Sequence, residues 1–302
     1  MLSFFANIFG YVLKFLYTLV GNYGWAIILF SVLVKVIMLP ISIKQQKAMK
    51  KNEKIQQEMK QIQFKYKNDP EKMNQEVMAL YKREGASPFS GCLSSIIQII
   101  LLFSVFLLVR SPLTYMVKMD TDAINKMESI VSEENSGTKN SYVEIGVIQY
   151  VKTLEDVNSV SEKYEFNIND YIDQINLNMD FLGIDLSQVP TQNWKDVRTL
   201  IIPALYVISS FASIRLTSSM TKKKEEKKLI TDGEENKEDE NYNPMQDATK
   251  TMTWMMPIMS ISIAIIAPLG LALYWLMNNI LMIIERLVYN KIFNKEEAEE
   301  NA

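Results

Sequence analysis

Ser31 and Lys35 stand four residues apart in SVLVKVIMLP, inside a run of apolar residues from about Gly24 to Ser42. A serine and a lysine one helical turn apart could act as nucleophile and base. Such a pair also needs donors for an oxyanion, and nothing in the sequence indicates them. The charge itself says more. A charged side chain at the bilayer centre costs roughly 2.5–3.5 kcal/mol on insertion scales. Lys35 lies about 11 residues into its run, or roughly 16 Å along a helix rising 1.5 Å per residue. Snorkelling to an interface is an incomplete answer at that depth. Ser42 falls on the same face, so the lysine belongs to a polar stripe.

Other apolar runs carry stripes as well. Tyr206, Ser210, Ser213 and Thr217 align in one, Ser94, Ser95 and Gln98 cluster in a second, and Tyr274, Asn278 and Glu285 align in a third. If these faces converge, they enclose a wet, positive cavity in which hydration keeps the lysine charged. Two plainer readings stand beside this one. Lys35 could pair with Glu285, or the serines could be small packing residues between helices.

These stripes need long helices to hold them. The chain has 302 residues, 48% hydrophobic and 22% charged, and the apolar residues gather in blocks with charge between them. About 20 apolar residues cross a ~30 Å hydrocarbon core. On that criterion five spans emerge, at 23–43, 91–110 and 197–217, with the fourth and fifth within 251–290. Pro268 and Gly270 mark a tight turn between the last two. The expected fold is an all-α polytopic membrane protein with five transmembrane helices around a hydrophilic groove. Residues 1–22 lack the basic start and cleavage site of a secretory signal. Phe5, Phe9, Val12, Leu16 and Leu19 recur at helical spacing there, which predicts an amphipathic helix lying in the membrane interface. Continuation of the first span is the alternative.

The sequence has no histidine and one cysteine, Cys92. An intrachain disulfide framework is thereby excluded. Zinc and haem sets are improbable, and the usual Cys–His and Ser–His pairs are missing. With no glycine-rich phosphate loop either, no cofactor, metal or enzymatic activity is expected.

Lysines set the orientation. Lys44, Lys47, Lys50, Lys51 and Lys54 follow the first span, and Lys222, Lys223, Lys224, Lys227 and Lys228 follow the third. Both segments should be cytoplasmic. Residues 118–196 hold six lysines against fifteen acidic residues, so the segment 111–196 should face outward. The N-terminus is then outside, and the acidic tail at 291–302 is cytoplasmic. Residues 44–90 predict a cytoplasmic helical hairpin, with Ile55, Met59, Ile62 and Tyr66 on one arm and Met73, Val77 and Leu80 on the other. Asp69-Pro70 supplies an N-cap and a first-turn proline between them. The stripes could simply pack on each other. The methionines also offer an adaptable surface to apolar partners, and Met59, Met73 and Tyr81 are the expected contact residues. Residues 118–178 look polar and without clear periodicity. The cytoplasmic loop at 218–250 holds an acidic stretch, 233–243, that reads as flexible.

Four motifs in order resemble the YidC/Oxa-type membrane protein insertases, and most closely bacterial YidC proteins of Gram-positive type. They are NYGWAIILFSVLVKVIMLPISIKQ, KYKNDPEKMNQEVMALYKREGASPFSGCLSSIIQ, FLGIDLS and PLGLALYWLMNNI. The resemblance covers most of the chain apart from residues 118–178 and the acidic tail. It implies a bacterial plasma-membrane protein whose groove opens to cytoplasm and lipid. A cation in the first span there attracts the extracytoplasmic ends of nascent membrane proteins. Lys35 occupies the position where relatives commonly have arginine, and keeps the charge without the planar fork. Ser87, Ser94 and Ile100 depart from an asparagine and two prolines common in the family, and the tail lacks the basic residues some members use at ribosomes. The expected groove set is Lys35, Ser31, Gln98, Ser210 and Asn278. Expected partners are nascent membrane proteins and lipid, with the ribosome, the signal recognition pathway and a general secretion channel as further candidates, and no specific nucleic acid. A small-solute transporter or channel is the competing reading, but the internal repeats usual in transporters are not found.

Overall fold

Gly21 and Asn22 break what would otherwise be one apolar helix into two. Gly21 takes φ +63°, which glycine alone adopts without steric cost. The Asn22 Oδ1 then accepts from the backbone N–H groups of Gly24 (3.0 Å) and Trp25 (3.2 Å), capping the next helix. The computed structural model describes residues 1–85, 90–134, 142–232 and 262–300. Within them the chain is helical almost throughout: α1 (Leu2–Val20), α2 (Tyr23–Lys65), α3 (Pro70–Arg83), α4 (Ser90–Arg110), α5 (Thr121–Glu134), α6 (Val143–Thr153), α7 (Val157–Lys163), α8 (Ile172–Ile175), α9 (Arg198–Asp232) and α10 (Leu269–Glu300). The one described sheet is a pair of two-residue strands, β1 (Asp180–Phe181) and β2 (Ile184–Asp185). Among the described residues, four helical stretches are long and apolar enough to cross a membrane: Leu2–Val20, Tyr23–Gln46, Arg198–Leu216 and Leu269–Ile292. The protein is an all-α polytopic membrane protein.

α1 counts among the four because it is apolar on two sides. Ala6, Gly10 and Leu13 are buried, while Ile8, Tyr11, Phe15 and Leu19 stand exposed on another face. Of the face expected from Phe5, Phe9, Val12, Leu16 and Leu19, the first four are half-buried and Leu19 is exposed. Of the span expected at 91–110, the described apolar stretch is Ile99–Arg110. Of the fourth span, only the last residues, helical at 262–266, fall within the described part. The acidic stretch at 233–243 lies outside it, as do the side chains of Ser94, Ser95, Gln98 and Thr217.

The chain divides into two compact units, one of residues 1–6 and 33–107 and the other of residues 7–32 and 108–302. In the first, α2 continues without a break past the expected end of the span, with Pro40 inside it. α3 starts at Pro70, with the Asp69 side chain accepting from the Lys72 N–H at 3.0 Å. Glu71 in its first turn and Lys82 and Arg83 in its last suit the helix dipole. Arg83 reaches the Glu58 carboxylate on α2, which joins the two arms of the hairpin. Ile55 and Leu80 are buried there.

In the second unit, the described residues of 111–196 fold. Ala123, Ile124, Met127, Ile130 and Val131 of α5 are buried, as are Ile145, Val147, Ile148 and Val151 of α6, and these two helices pack on each other. Met127, Val147 and Ile148 are fully enclosed. The FLGID stretch makes a hairpin in register Asp180↔Asp185 and Phe181↔Ile184. Its two turn residues, Leu182 and Gly183, both have positive φ, as a tight primed turn requires.

Candidate functional site

The N-terminal ends of α2 and α10 are held by the FLGIDLS segment. Phe181 lies so close to Gly24 that a Cβ at position 24 would come within 2.4 Å of its ring. Its ring also meets Trp25 edge-on at 5.3 Å. The Asn22 amide donates to the Asp180 carbonyl at 2.5 Å, and the Tyr23 N–H to the Asn178 carbonyl at 2.9 Å. One step further along, the carbonyls of Leu186 and Gln188 accept from the N–H groups of Gly270 and Leu269, both at 2.9 Å. These are the first turns of α2 and α10, whose leading N–H groups have no partner within their own helices. Gln149 of α6 donates to the Ser187 carbonyl at 2.8 Å, which ties the folded segment to the same strap.

Glu144 anchors that segment to the turn that follows α4. Its carboxylate accepts from the N–H groups of Leu113 (2.7 Å) and Thr114 (3.0 Å) and from the Thr114 hydroxyl (2.6 Å). These donors open a single π-helical turn, Leu113–Val117. Burial pushes the Glu144 carboxyl above its ordinary value, and the hydrogen bonds from Thr114, Leu113 and Ser111 offset part of the rise.

The expected groove residues fall in several settings. Ser31 is buried on α2 and its hydroxyl donates to the Ile27 carbonyl at 2.7 Å, one turn back. Lys35, one turn further on the same helix, is half-buried. Around it Val32, Leu33, Val36 and Ile37 are exposed and apolar. Gln98 lies on α4, with its side chain outside the described part.

Ser210 belongs to a polar seam between α9 and α10. The Asn279 amide donates to the Ser210 hydroxyl at 2.8 Å and to the Ser209 hydroxyl at 3.1 Å. Further along, Arg286 approaches the Ser213 hydroxyl at 3.4 Å, and Tyr206 meets Trp275 with ring centroids 6.2 Å apart. The stripe of Tyr206, Ser210 and Ser213 thus turns toward α10. Asn278 is half-buried, and the residue that reaches Ser210 is its neighbour Asn279. Asn279 and Arg286 are seven residues apart, two helical turns, a spacing readable in the sequence that the stripe Tyr274, Asn278 and Glu285 passes over.

On the hairpin, Met59, Met73 and Tyr81 are all half-buried, and Phe64 and Met78 stand well exposed. Among the described residues no three His, Cys, Asp or Glu side chains are grouped to hold a metal ion.

A family model described as 60Kd inner membrane protein matches residues 15–297. The membrane protein insertase YidC of Treponema denticola is 26% identical over 285 residues, 94% of this chain and 37% of that relative. The insertase of the same name from Helicobacter pylori is 42% identical over 106 residues, 35% of this chain and 19% of its own length. That of Caldanaerobacter subterraneus is 40% identical over 102 residues, 34% of this chain and 50% of its own length. The chain thus spans half or less of the length of these curated relatives.

Proposed function

The chain belongs to the 60Kd inner membrane protein family, and from that premise we propose that it is a membrane protein insertase of the bacterial plasma membrane. It moves nascent hydrophobic segments from the cytoplasm into the bilayer through a hydrated, positively charged groove. The observation that carries this reading is Lys35, a half-buried cation on an α2 surface that is otherwise apolar. Such a charge is costly in hydrocarbon and marks a functional position. The lysine-rich segments after the first and third spans are cytoplasmic, residues 111–196 are outside, and α1 lies in the outer interface.

Insertion proceeds without covalent chemistry. The half-covered methionines and Tyr81 of the hairpin hold an arriving apolar segment loosely. Its short acidic end enters the groove, where Lys35 supplies the counter-charge. Ser31, Gln98, Ser210 and Asn278 stand in for part of its water, which lowers the cost of bringing polar groups into low dielectric. Burial of the segment in lipid, at about 25 cal/mol per Å2 of apolar area, then drives release. The ribosome, the signal recognition pathway and a general secretion channel are the further candidate partners of this scheme.

Proteoliposomes containing the full chain test it with a single-span substrate carrying a short acidic outer tail. Wild-type and Lys35→Arg protein should insert the substrate, and Lys35→Glu should lose most of the activity. No insertion by the wild-type chain, or equal insertion by the arginine and glutamate variants, would sink the reading.

A further inference from the structure

Gly10 lets α1 approach the π-helical turn closely: a Cβ there would come within 1.8 Å of the Tyr115 carbonyl oxygen. One turn along the same face, Lys14 donates to the Val117 carbonyl at 3.2 Å. The next residue after that turn is Lys118, held in the left-handed region at φ +64°. That conformation is uncommon for a residue with a side chain, and is a reason to look for a local role. Lys118 donates to the Asn7 side chain and lies over the Tyr11 ring at 4.6 Å from its centroid. Two lysines are therefore fixed beside one another, each by a neutral partner. Among the described residues neither forms an ion pair with a carboxylate. The Lys118 ammonium is held below its ordinary range, first by burial and then by the charge on Lys14.

Between them opens a cavity of about 520 Å3, lined also by Tyr17, Thr18, Asp173 and Gln174. Alongside it runs the exposed face of α1, with Ile8, Tyr11, Phe15 and Leu19 uncovered. A cationic recess next to an uncovered apolar stripe has the chemistry of a phospholipid site. We infer that Lys14 and Lys118 bind the phosphate of an anionic phospholipid with a hydroxylated headgroup, whose acyl chains lie along this face of α1. Asp173 and Gln174 meet the headgroup hydroxyls, and Asp173 disfavours a bare doubly charged phosphate. None of its residues belongs to the proposed groove set, and it does not depend on the insertase reading.

Native mass spectrometry of the full chain released from detergent tests the site, with phosphatidylglycerol, phosphatidylcholine and inorganic phosphate as probes. Phosphatidylglycerol should be retained with roughly tenfold preference over phosphatidylcholine, the scale expected of two basic side chains at an anionic headgroup. The pair Lys14→Gln and Lys118→Gln should abolish the preference, and the pair Lys14→Arg and Lys118→Arg should keep it. Thermal unfolding of each variant checks that it is folded. If the glutamine pair does not fold, the wild-type comparison and the arginine pair decide. Equal retention of both lipids by the wild-type chain overturns the assignment, as does an undiminished preference in a folded glutamine pair. Displacement of the lipid by inorganic phosphate at equal concentration overturns it too, because the recess would then read only the anion.

Discussion

The hairpin formed by the end of α2 and by α3, and the helices described within 121–175, both carry apolar stripes outside the long apolar runs, yet they treat their apolar residues differently. In 121–175, Met127, Ile130, Ile145 and Ile148 are enclosed, and a buried carboxylate fastens the helices to the turn after α4. In the hairpin, Ile55 and Leu80 are buried while Met59, Ile62, Tyr66, Met73, Val77 and Tyr81 remain half-covered. One region has spent its apolar surface on itself and is a scaffold. The other keeps a partly open apolar face, suited to brief contact with another apolar chain.

The sharpest way to break this comparison is to remove volume from each region. Ile148→Ala should destabilise 121–175 by about 2–5 kcal/mol, the range for emptying an enclosed aliphatic site. Hydrogen exchange resolved along the chain reads it as faster exchange in α5 and α6. No change there would mean the segment is not a packed body.

Next in size is the anchor. Glu144→Ala leaves the Leu113 and Thr114 N–H groups without their acceptor and should cost about 1–3 kcal/mol. Glu144→Gln keeps an acceptor and should cost less. The carboxyl is raised above the ordinary 4.5, so the folded form binds more protons than the unfolded form between that value and its own. Its contribution to stability is therefore greatest below about pH 4.5 and declines as pH rises through that window. Unfolding followed against pH should show this slope in the wild type and lose it in Glu144→Gln. The opposite slope would refute the assignment of burial as the dominant cause.

Smallest in stability, and most telling for function, is the hairpin. Met59→Ser, Met73→Ser and Tyr81→Ser together should barely move the unfolding transition, yet lower insertion of an apolar substrate several-fold. A large loss of stability would make the hairpin a second packed core.

Much of this was readable from the residues. The long apolar runs, the break at Pro268, the Asp69-Pro70 helix start and the family motifs each rest on local sequence. The core of 121–175 was hidden because its stripes are short and diluted by acidic residues, although Ala123, Met127 and Ile130 do recur at helical spacing. The α9 stripe was legible as a stripe, but not what it faces. Which of Asn278 and Asn279 reaches Ser210 depends on how α10 is rotated, and a one-residue difference turns a helix face by about 100°. The work of FLGIDLS in receiving the first turns of α2 and α10 is long-range, so nothing in that heptapeptide alone announces it.

The central claim is that the Lys35 ammonium meets the polar end of an arriving substrate. A photoreactive residue at position 35, presented with ribosome-stalled single-span chains of increasing length, tests it most directly. The account predicts a crosslink to the short outer tail at intermediate lengths that disappears once the segment is released into lipid. Crosslinks from the hairpin with none from position 35 at any length would contradict it.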